Sequence, residues 1–545
     1  GEFEPVSIIV TYVDSVDAKT LQSVSGGQVV HSYSKVFNGV SMVLPGGKVD
    51  DVAAIPGITG VYLDELVQVD TDASPEFIGA PAAWEALGGQ ENAGEGVVVG
   101  VLDTGIWPEH PSFSDPDPAG NAYPEPPGGP YPCYFGNTAW NPNDAPFECN
   151  NKLIGAYQFL DTYKAVVGLE PEEFDSARDS NGHGSHTSST AAGNAGVEAS
   201  ILGTSFGEVS GIAPRAHVIM YRVCGEEGCY TSDSAAAVEQ AILDGVDVIN
   251  FSIGGGSNPY SDIVSLAFLS AYENGVFVAC SAGNSGPGAD TVGHREPWVT
   301  TVAASTQSRS FEGHVYVEAD NGDTLELVGV SIGGSIAGEL VIGADYGDEL
   351  CGSVDGVNPF PAGTFTSDQI VVCKRGNTAR VEKSYNVQQG GGGGVILYNP
   401  AVQTLNSDNH FIPTVHIDNV AGTALVDFMD THTGEMASLE GGVKVFGQGD
   451  VMAAFSSRGG PGQTLGISKP DISAPGVNIL AAQTPMPDFP FLGAGAPGQY
   501  FQAIGGTSMA SPHIAGSAAL LKDMHPDWTP GQIKSALMMT SWTDL

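Results

Sequence analysis

Basic residues are scarce in this sequence, which has 19 Lys and Arg against 63 Asp and Glu in 545 residues and a formal net charge of −44. The imbalance comes from missing bases, because the acidic residues are not gathered in long runs. A negative field of this size repels nucleic-acid phosphates and anionic lipid headgroups. We therefore expect no nucleic-acid partner and no membrane partner, and the charge is typical of a secreted protein that net charge keeps in solution.

Long hydrophobic runs are also missing, since we find no stretch of about 18 apolar residues that could cross a bilayer. The first residues, Gly1-Glu2-Phe3, lack the basic and apolar parts of a secretory signal. If the natural protein is secreted, we expect its leader to precede Gly1. The length predicts two to four domains, and the 41% of hydrophobic residues excludes a disordered chain.

The seven cysteines contain no paired CxxC or HxxxH motif, so their spacing gives no zinc site. Local pairing predicts three disulfides and an oxidising compartment, with seven reduced thiols in a cytosolic protein as the alternative. Cys280 lies in an apolar run and is expected to be a buried, inert thiol. The predicted pairs are Cys133–Cys149, Cys224–Cys229 and Cys351–Cys373.

The pattern of predicted strands and helices changes three times along the chain. Residues 5–70 hold four strand-like runs and two short helices, which predicts a small α+β unit. From Gly96, wholly apolar strands alternate with helices, which is typical of a parallel sheet covered on both faces. Residues from about 330 to 445 are rich in Gly and Val and predict an inserted, mainly β domain. The alternation of strands and helices then resumes, and a long apolar helix is expected over 509–524.

Three polar segments follow or precede these elements. Asp103 ends a buried strand, His183 follows a Gly-rich turn and begins a helix, and Ser508 stands among small residues at the start of another helix. We place Ser508 there because Pro512 is best tolerated in a first helical turn. Each residue alone has an ordinary interpretation as a turn cap, a structural histidine or an N-cap. His183 and His186 could also face a metal together, although no third ligand stands at a useful spacing.

Taken together, these residues predict nucleophilic catalysis. A serine needs a base to accept its proton and donors for the oxyanion that forms, and a helix N-terminus favours negative charge. Asn284, after another buried strand, has a side-chain amide of the kind that stabilises such an oxyanion. The order Asp, His, Ser is one of several convergent arrangements of a catalytic triad.

The segments Asp103-Thr104-Gly105, His183-Gly184-Ser185-His186 and Gly506-Thr507-Ser508-Met509-Ala510-Ser511-Pro512-His513 resemble the three signatures of the subtilases, the subtilisin-like serine proteases. The closest pattern is the cucumisin-like branch, and the resemblance covers nearly the whole chain. It implies an α/β parallel-sheet catalytic domain with an α+β N-terminal propeptide and a mainly β protease-associated insert. The implied ranges are 1–70 for the propeptide, 71–330 and 448–545 for the two parts of the catalytic domain, and 331–447 for the insert.

By this resemblance, Asp103 orients the histidine, His183 is the general base and then acid, Ser508 is the nucleophile, and Asn284 completes the oxyanion hole. The family's substrate cleft corresponds to Ser252, Ile253, Gly254, Gly255, Ala282 and Gly283, where an extended peptide would add as a strand. The implied protein is a secreted endopeptidase made as a zymogen, whose partners are peptide substrates and its own propeptide. No cofactor is required for the chemistry, and structural calcium is possible, although no EF-hand loop is present.

Two other functions stay open on the sequence alone. One is a catalytically silent subtilase that acts as a binding protein, against which the four intact site residues argue. The other is a serine acyl-transferase, such as a peptide ligase or an esterase, on the same scaffold. We also expect processing between Val69 and Ala73, and a role of the insert in substrate binding, access or dimerisation.

Overall fold

A computed structural model describes residues 5–13, 16, 18–33, 39–63, 73–463, 467–489 and 493–542. The chain divides into two compact units, residues 1–70 and 71–545. The segment in which we expect processing lies largely outside the described residues. Among the helices of the described ranges, none is long and apolar enough to cross a membrane.

The first unit is an antiparallel sheet of four strands with two helices. Strand Pro5–Tyr12 lies between Gly39–Pro45 and Ile58–Leu63, and Gln28–Tyr33 pairs with the outer side of Gly39–Pro45. Helices Ala18–Ser25 and Val49–Ala53 complete the unit. Its core is built from Ile8, Val10, Leu21, Val40, Met42, Leu44 and Val52.

A seven-stranded parallel sheet forms the centre of the second unit. Because its strands are buried on both faces, they are almost wholly apolar, as the sequence predicts. In spatial order the strands are Ile472–Pro475, Thr300–Ser305, Phe277–Ser281, Val248–Phe251, Val98–Asp103, His217–Arg222 and Leu153–Gln158.

Helices cover both faces of this sheet. On one face, Thr231–Asp244 and Ile263–Glu273 pack on Val98 and Leu102. On the other face, His183–Ala192 and Thr507–Met524 pack side by side on Val99 and Val101. The last helix, Pro530–Thr540, begins with a capping box formed by Thr529 and Gln532. The expected α/β class is confirmed.

A closed barrel of seven strands interrupts this α/β arrangement. It extends from Arg309 to Phe446, so it begins earlier than the 331–447 predicted for the insert, because its first strand pairs along its length with its last. Two helices, Arg380–Gly390 and Asn419–Thr431, belong to the same segment. The strands are Arg309–Glu318, Thr324–Val330, Ile336–Ile342, Gln369–Lys374, Gly394–Tyr398, Thr414–Ile417 and Met436–Phe446.

Smaller elements connect these parts. Three hairpins are Val197–Ile201 with Thr204–Val209, Cys224–Gly225 with Gly228–Cys229, and Ile479–Ala482 with Phe501–Ile504. Short helices are Ser74–Phe77, Ala80–Ala86 and Asp161–Val166, and single 3₁₀ turns are Gly46–Lys48, Gln90–Asn92, Pro111–Phe113 and Gly343–Tyr346. The three predicted disulfides are present, and Cys280 is a buried free cysteine.

Candidate active site

Asp103 is the last residue of strand Val98–Asp103 and is fully buried. Its Oδ1 lies 2.7 Å from Nδ1 of His183 and accepts the N–H of Thr104 at 2.8 Å. Its Oδ2 accepts the hydroxyl of Thr187 at 3.0 Å. These donors satisfy a carboxylate that burial would otherwise destabilise. With Nδ1–H of His183 donated to Asp103, Nε2 is left as a proton acceptor.

The electrostatics of His183 follow from this contact. Burial by itself lowers the pKa of an imidazole, but the adjacent Asp103 carboxylate outweighs it, and the pKa of His183 lies above its ordinary 6.5. The imidazole is 27% exposed, so one edge can reach a substrate. A histidine whose protonated form is stabilised by a neighbouring carboxylate can accept a proton and return it.

The turn that carries His183 is fixed by Asp179. Its Oδ1 accepts the N–H of Gly182 at 2.8 Å and the hydroxyl of Thr104 at 3.0 Å, and its Oδ2 accepts the hydroxyl of Ser185 at 2.6 Å. One buried carboxylate therefore ties the start of the histidine helix to the residue that follows Asp103. This positioning role was missed in the sequence, although an acid before Asn-Gly is the usual composition of such a turn.

A close backbone approach sets the distance between the same two segments. A Cβ added to Gly184 would lie 2.1 Å from the carbonyl oxygen of Gly105, which no side chain can tolerate. Gly184 therefore lets the histidine helix touch the turn after Asp103 directly.

Ser508 is the second residue of helix Thr507–Met524, so the predicted position at the helix N-terminus is right. The argument from Pro512 was wrong, because Pro512 lies in the second turn of the helix. Its missing N–H leaves the carbonyl of Ser508, four residues earlier, without its helical donor. The hydroxyl of Ser252 donates to that carbonyl instead, at 2.8 Å.

The hydroxyl of Ser508 donates to the carbonyl of Ser252 at 3.1 Å, and Ser508 is 9% exposed. Among the hydrogen bonds of the described residues, none joins this hydroxyl to His183. The residues that these two groups contact, Asp103 and Ser252, nevertheless lie at the ends of neighbouring strands. Asp103 follows Leu102, which pairs with Phe251, the residue before Ser252. Proton transfer to His183 thus requires the Ser508 hydroxyl to rotate away from Ser252.

Asn284 contacts Thr507, the residue immediately before Ser508. Its Oδ1 accepts both the N–H and the hydroxyl of Thr507, each at 2.9 Å. Because both contacts are donated by Thr507, the amide must present its oxygen there, and its NH₂ group is free to face the other way. As the second helical residue, Ser508 has a backbone N–H without an intrahelical acceptor. Two donors are thus available for one oxyanion.

A cavity of about 450 Å³ opens beside Ser508 and Asn284. Four of the predicted cleft residues line it: Ser252, Gly254, Gly255 and Gly283. The other two, Ile253 and Ala282, do not line it. The carbonyl of Ile253 is bound to Nε2 of His294 at 2.9 Å, and Ala282 is fully buried, with its N–H donated to Val302.

A second cavity, of about 260 Å³, adjoins His183. Burial raises the pKa of Glu226 to about 7 and that of Asp488 to about 6, and both residues line this cavity. Arg380 and Asp408, from the barrel segment, also line it and form a salt bridge with each other. The insert therefore contributes to the wall of a cavity beside the histidine.

The chain matches the model of the subtilase family over residues 94–545. Two similar proteins are the subtilisin-like proteases SBT1.7 and SBT1.4 of Arabidopsis thaliana, which are 37% and 38% identical to it. The alignments cover 96% and 94% of this chain and 69% and 66% of those relatives. The chain belongs to the subtilase family. The expected cucumisin-like resemblance and the enzyme class, a subtilisin-like serine protease, are therefore confirmed.

In this subtilase, the geometry gives no support to a metal ion shared by His183 and His186. Nε2 of His186 lies 2.9 Å from the carbonyl oxygen of Ile479 rather than beside His183. Burial lowers the pKa of His186 to about 3, so it is a neutral core histidine.

Subtilases need no cofactor for catalysis, and a structural calcium ion would require about six to eight oxygen ligands. Within the described ranges, one group of three or more His, Cys, Asp or Glu side chains brings its ligand atoms together: Cys280, His294 and Glu296. A thiol and an imidazole do not suit calcium, so these residues do not fit that ion.

Proposed function

We propose that this chain is a secreted serine endopeptidase, made as a zymogen, that hydrolyses peptide bonds through an acyl-enzyme. The observation that carries the proposal is the buried Asp103–His183 contact at the strand end that adjoins Ser252, to which Ser508 is bonded. The family membership supports the reaction class, and these contacts support the assignment of roles.

In the first half of the reaction, the Ser508 hydroxyl leaves the Ser252 carbonyl and attacks the scissile carbonyl carbon. Nε2 of His183 accepts the hydroxyl proton, and the Asp103 carboxylate stabilises the imidazolium that forms. The carbonyl oxygen becomes an oxyanion, which accepts hydrogen bonds from the amide of Asn284 and the N–H of Ser508. His183 then gives its proton to the leaving amine, and the C–N bond breaks.

In the second half, water attacks the acyl group on Ser508 and His183 again accepts the proton. The tetrahedral oxyanion forms at the same two donors, and its collapse returns the proton to Ser508. Gly254 and Gly255 leave backbone groups beside the cavity at Ser508 unobstructed by side chains, which favours an extended peptide held by backbone hydrogen bonds.

Residues 1–70 are proposed as the inhibitory propeptide, supported by their compact separate unit and the family resemblance. The three disulfides support an oxidising, extracellular location. Sequencing the N-terminus of the processed protein tests the zymogen proposal. A start between Val69 and Ala73 is expected, and a start elsewhere rejects that window.

The decisive test profiles a mixed peptide library with purified protein beside a Ser508→Ala variant. We expect internal cleavage by the wild type and a loss of about 10⁶-fold in kcat for the variant, the usual cost of removing a triad serine. A fluorophosphonate probe should label Ser508 in the wild type alone.

Two outcomes would favour the alternatives. An unlabelled, inactive wild type with normal folding would indicate a silent binding protein. Mass spectrometry that finds joined rather than hydrolysed peptides would indicate an acyl-transferase.

A further inference from the structure

A thiol, an imidazole and a carboxylate meet behind the substrate cleft. Cys280 lies in strand Phe277–Ser281, and His294 and Glu296 lie in the loop that leads to strand Thr300–Ser305. Their ligand atoms lie within 4.8 Å of one another, and the three residues are 0%, 1% and 0% exposed. The mechanism above uses none of them.

His294 stands between two hydrogen-bond acceptors. Its Nε2 lies 2.9 Å from the carbonyl oxygen of Ile253, and its Nδ1 lies 3.2 Å from Oε1 of Glu296. A carbonyl cannot donate, so Nε2 carries a proton, and a neutral imidazole would direct the lone pair of Nδ1 at the carboxylate. Two acceptors would then face each other, so a positive species, either a proton on Nδ1 or a cation, has to lie between them.

The Glu296 carboxylate is the second group in the cluster, and one of its oxygens lacks a partner. Its Oε2 is buried without a hydrogen-bond partner. The nearby bases are occupied, because Arg295 donates to the carbonyls of Val292 and Asp290 and Lys469 pairs with Asp471. The rings of Phe251 and Phe268 lie 5.5 and 6.1 Å from the His294 ring, so the cluster is apolar on that side. A buried carboxylate in such a place requires a compensating charge.

We propose that Cys280, His294 and Glu296 bind one thiophilic divalent cation, with zinc as the ion that best suits this ligand set. A thiolate and a carboxylate cancel the two positive charges, so the loaded site is neutral in its apolar surroundings. Thiolate, imidazole and carboxylate are the usual ligands of zinc, whose bonds of about 2.0–2.3 Å require only small side-chain movements here. Three protein ligands leave a fourth position for water.

A proton on Nδ1 of His294 is the simpler alternative to a bound cation, but it accounts for fewer of these contacts. A proton on Nδ1 would bridge His294 and Oε1 of Glu296 but would leave Oε2 of Glu296 without a partner. It would also limit Cys280 to a hydrogen bond with His294. A cation held by all three side chains satisfies each of them.

The position of the site gives the ion a structural consequence. The His294 ring lies directly against the backbone of Gly255, where an added Cβ would be 2.5 Å from the ring, and Nε2 holds the carbonyl of Ile253. Ion binding would therefore fix the segment that lines the cleft from behind, without contact with the substrate.

The test uses the full chain in a Ser508→Ala background, which prevents self-digestion. The protein is produced or refolded with Zn²⁺ or Cd²⁺ alone, desalted and analysed for metal by mass spectrometry. We expect one ion per chain. The cadmium form should show ultraviolet thiolate-to-metal charge transfer, which Cys280 alone can supply because the other six cysteines are in disulfides.

Cys280→Ser and His294→Gln should each weaken retention by about 10- to 100-fold or more. The matched control replaces His314 and Glu312 by Gln, since these residues form a surface His–Glu pair at 3.1 Å without a thiol, and it should retain the ion. Metal release when the wild type is unfolded gives a measurement that does not depend on how well the variants fold. No retained metal in the wild type, or retention unaffected by both variants, overturns the proposal and leaves an imidazolium–carboxylate pair.

Discussion

The side-chain oxygen of Asn284 accepts two hydrogen bonds from Thr507, the residue immediately before Ser508. The hydroxyl of Thr507 also accepts the N–H of Gly283 at 3.1 Å. Thr507 thus fixes the direction of the amide that we assign to the oxyanion and connects it to the cleft.

Replacing Thr507 by Val keeps the volume and removes one of the two bonds that orient Asn284. We expect kcat to fall while KM changes little, because the amide loses alignment only where the oxyanion forms. Asn284→Ala should lower kcat by about 10²–10³. The double variant should be no slower than Asn284→Ala, and additive losses would show that Thr507 acts by another route.

Asp103→Asn tests the pairing with His183. The base must be neutral to accept the Ser508 proton, so activity should rise with pH through the raised pKa of His183. Loss of the carboxylate should move this limb to lower pH and reduce kcat by about 10⁴-fold. A pH–rate profile with an unmoved acid limb would show that the limb belongs to another group.

The cavity beside His183 predicts a preference for basic side chains near the scissile bond. Arg380 and Asp408 neutralise each other, so Glu226 and Asp488 give the cavity its charge. Since the pKa of Glu226 is about 7, the preference should grow between pH 5 and pH 8.

Glu226→Gln should lower kcat/KM for Lys- and Arg-containing peptides by about fivefold relative to neutral ones, equivalent to about 1 kcal/mol. The neighbouring Glu227 is exposed and does not line the cavity, so Glu227→Gln is the matched control. Equal effects of the two substitutions would contradict the role of the cavity.

Arg178 is a buried base that should matter for stability. It is fully buried, bonds to Asp144 and Glu109 at 3.0 and 2.6 Å, and lies over the ring of Trp107. Arg178→Ala would leave Asp144 buried and unpaired, and we expect a loss of about 3–5 kcal/mol in the free energy of unfolding.

Denaturant unfolding in the Ser508→Ala background measures the effect of Arg178→Ala. The control is Lys374→Ala, which breaks a more exposed pair with Glu349 and should cost less than about 1 kcal/mol. Similar losses in the two variants would show that burial of Arg178 contributes nothing.

Local patterns were enough to predict the sheet, the long helices and the three disulfides, because wholly apolar strands, caps and short cysteine spacings are properties of neighbouring residues. They did not show that the barrel begins at Arg309, since that strand is completed by pairing with Met436–Phe446, over a hundred residues later. They also did not show the meeting of Cys280 with His294 and Glu296, or the bond between Ser252 and Ser508. Both depend on side chains that only the packed sheet brings together.

Pro512 removes one backbone hydrogen bond from the helix that carries Ser508, and this has a structural result. The carbonyl that loses its helical donor is that of Ser508 itself. The hydroxyl of Ser252, which follows strand Val248–Phe251, donates to it instead. Ser508 is thereby anchored to the central sheet, so fraying at the start of its own helix need not displace it. Substituting a residue with an N–H at 512 would restore a competing donor and loosen that anchorage.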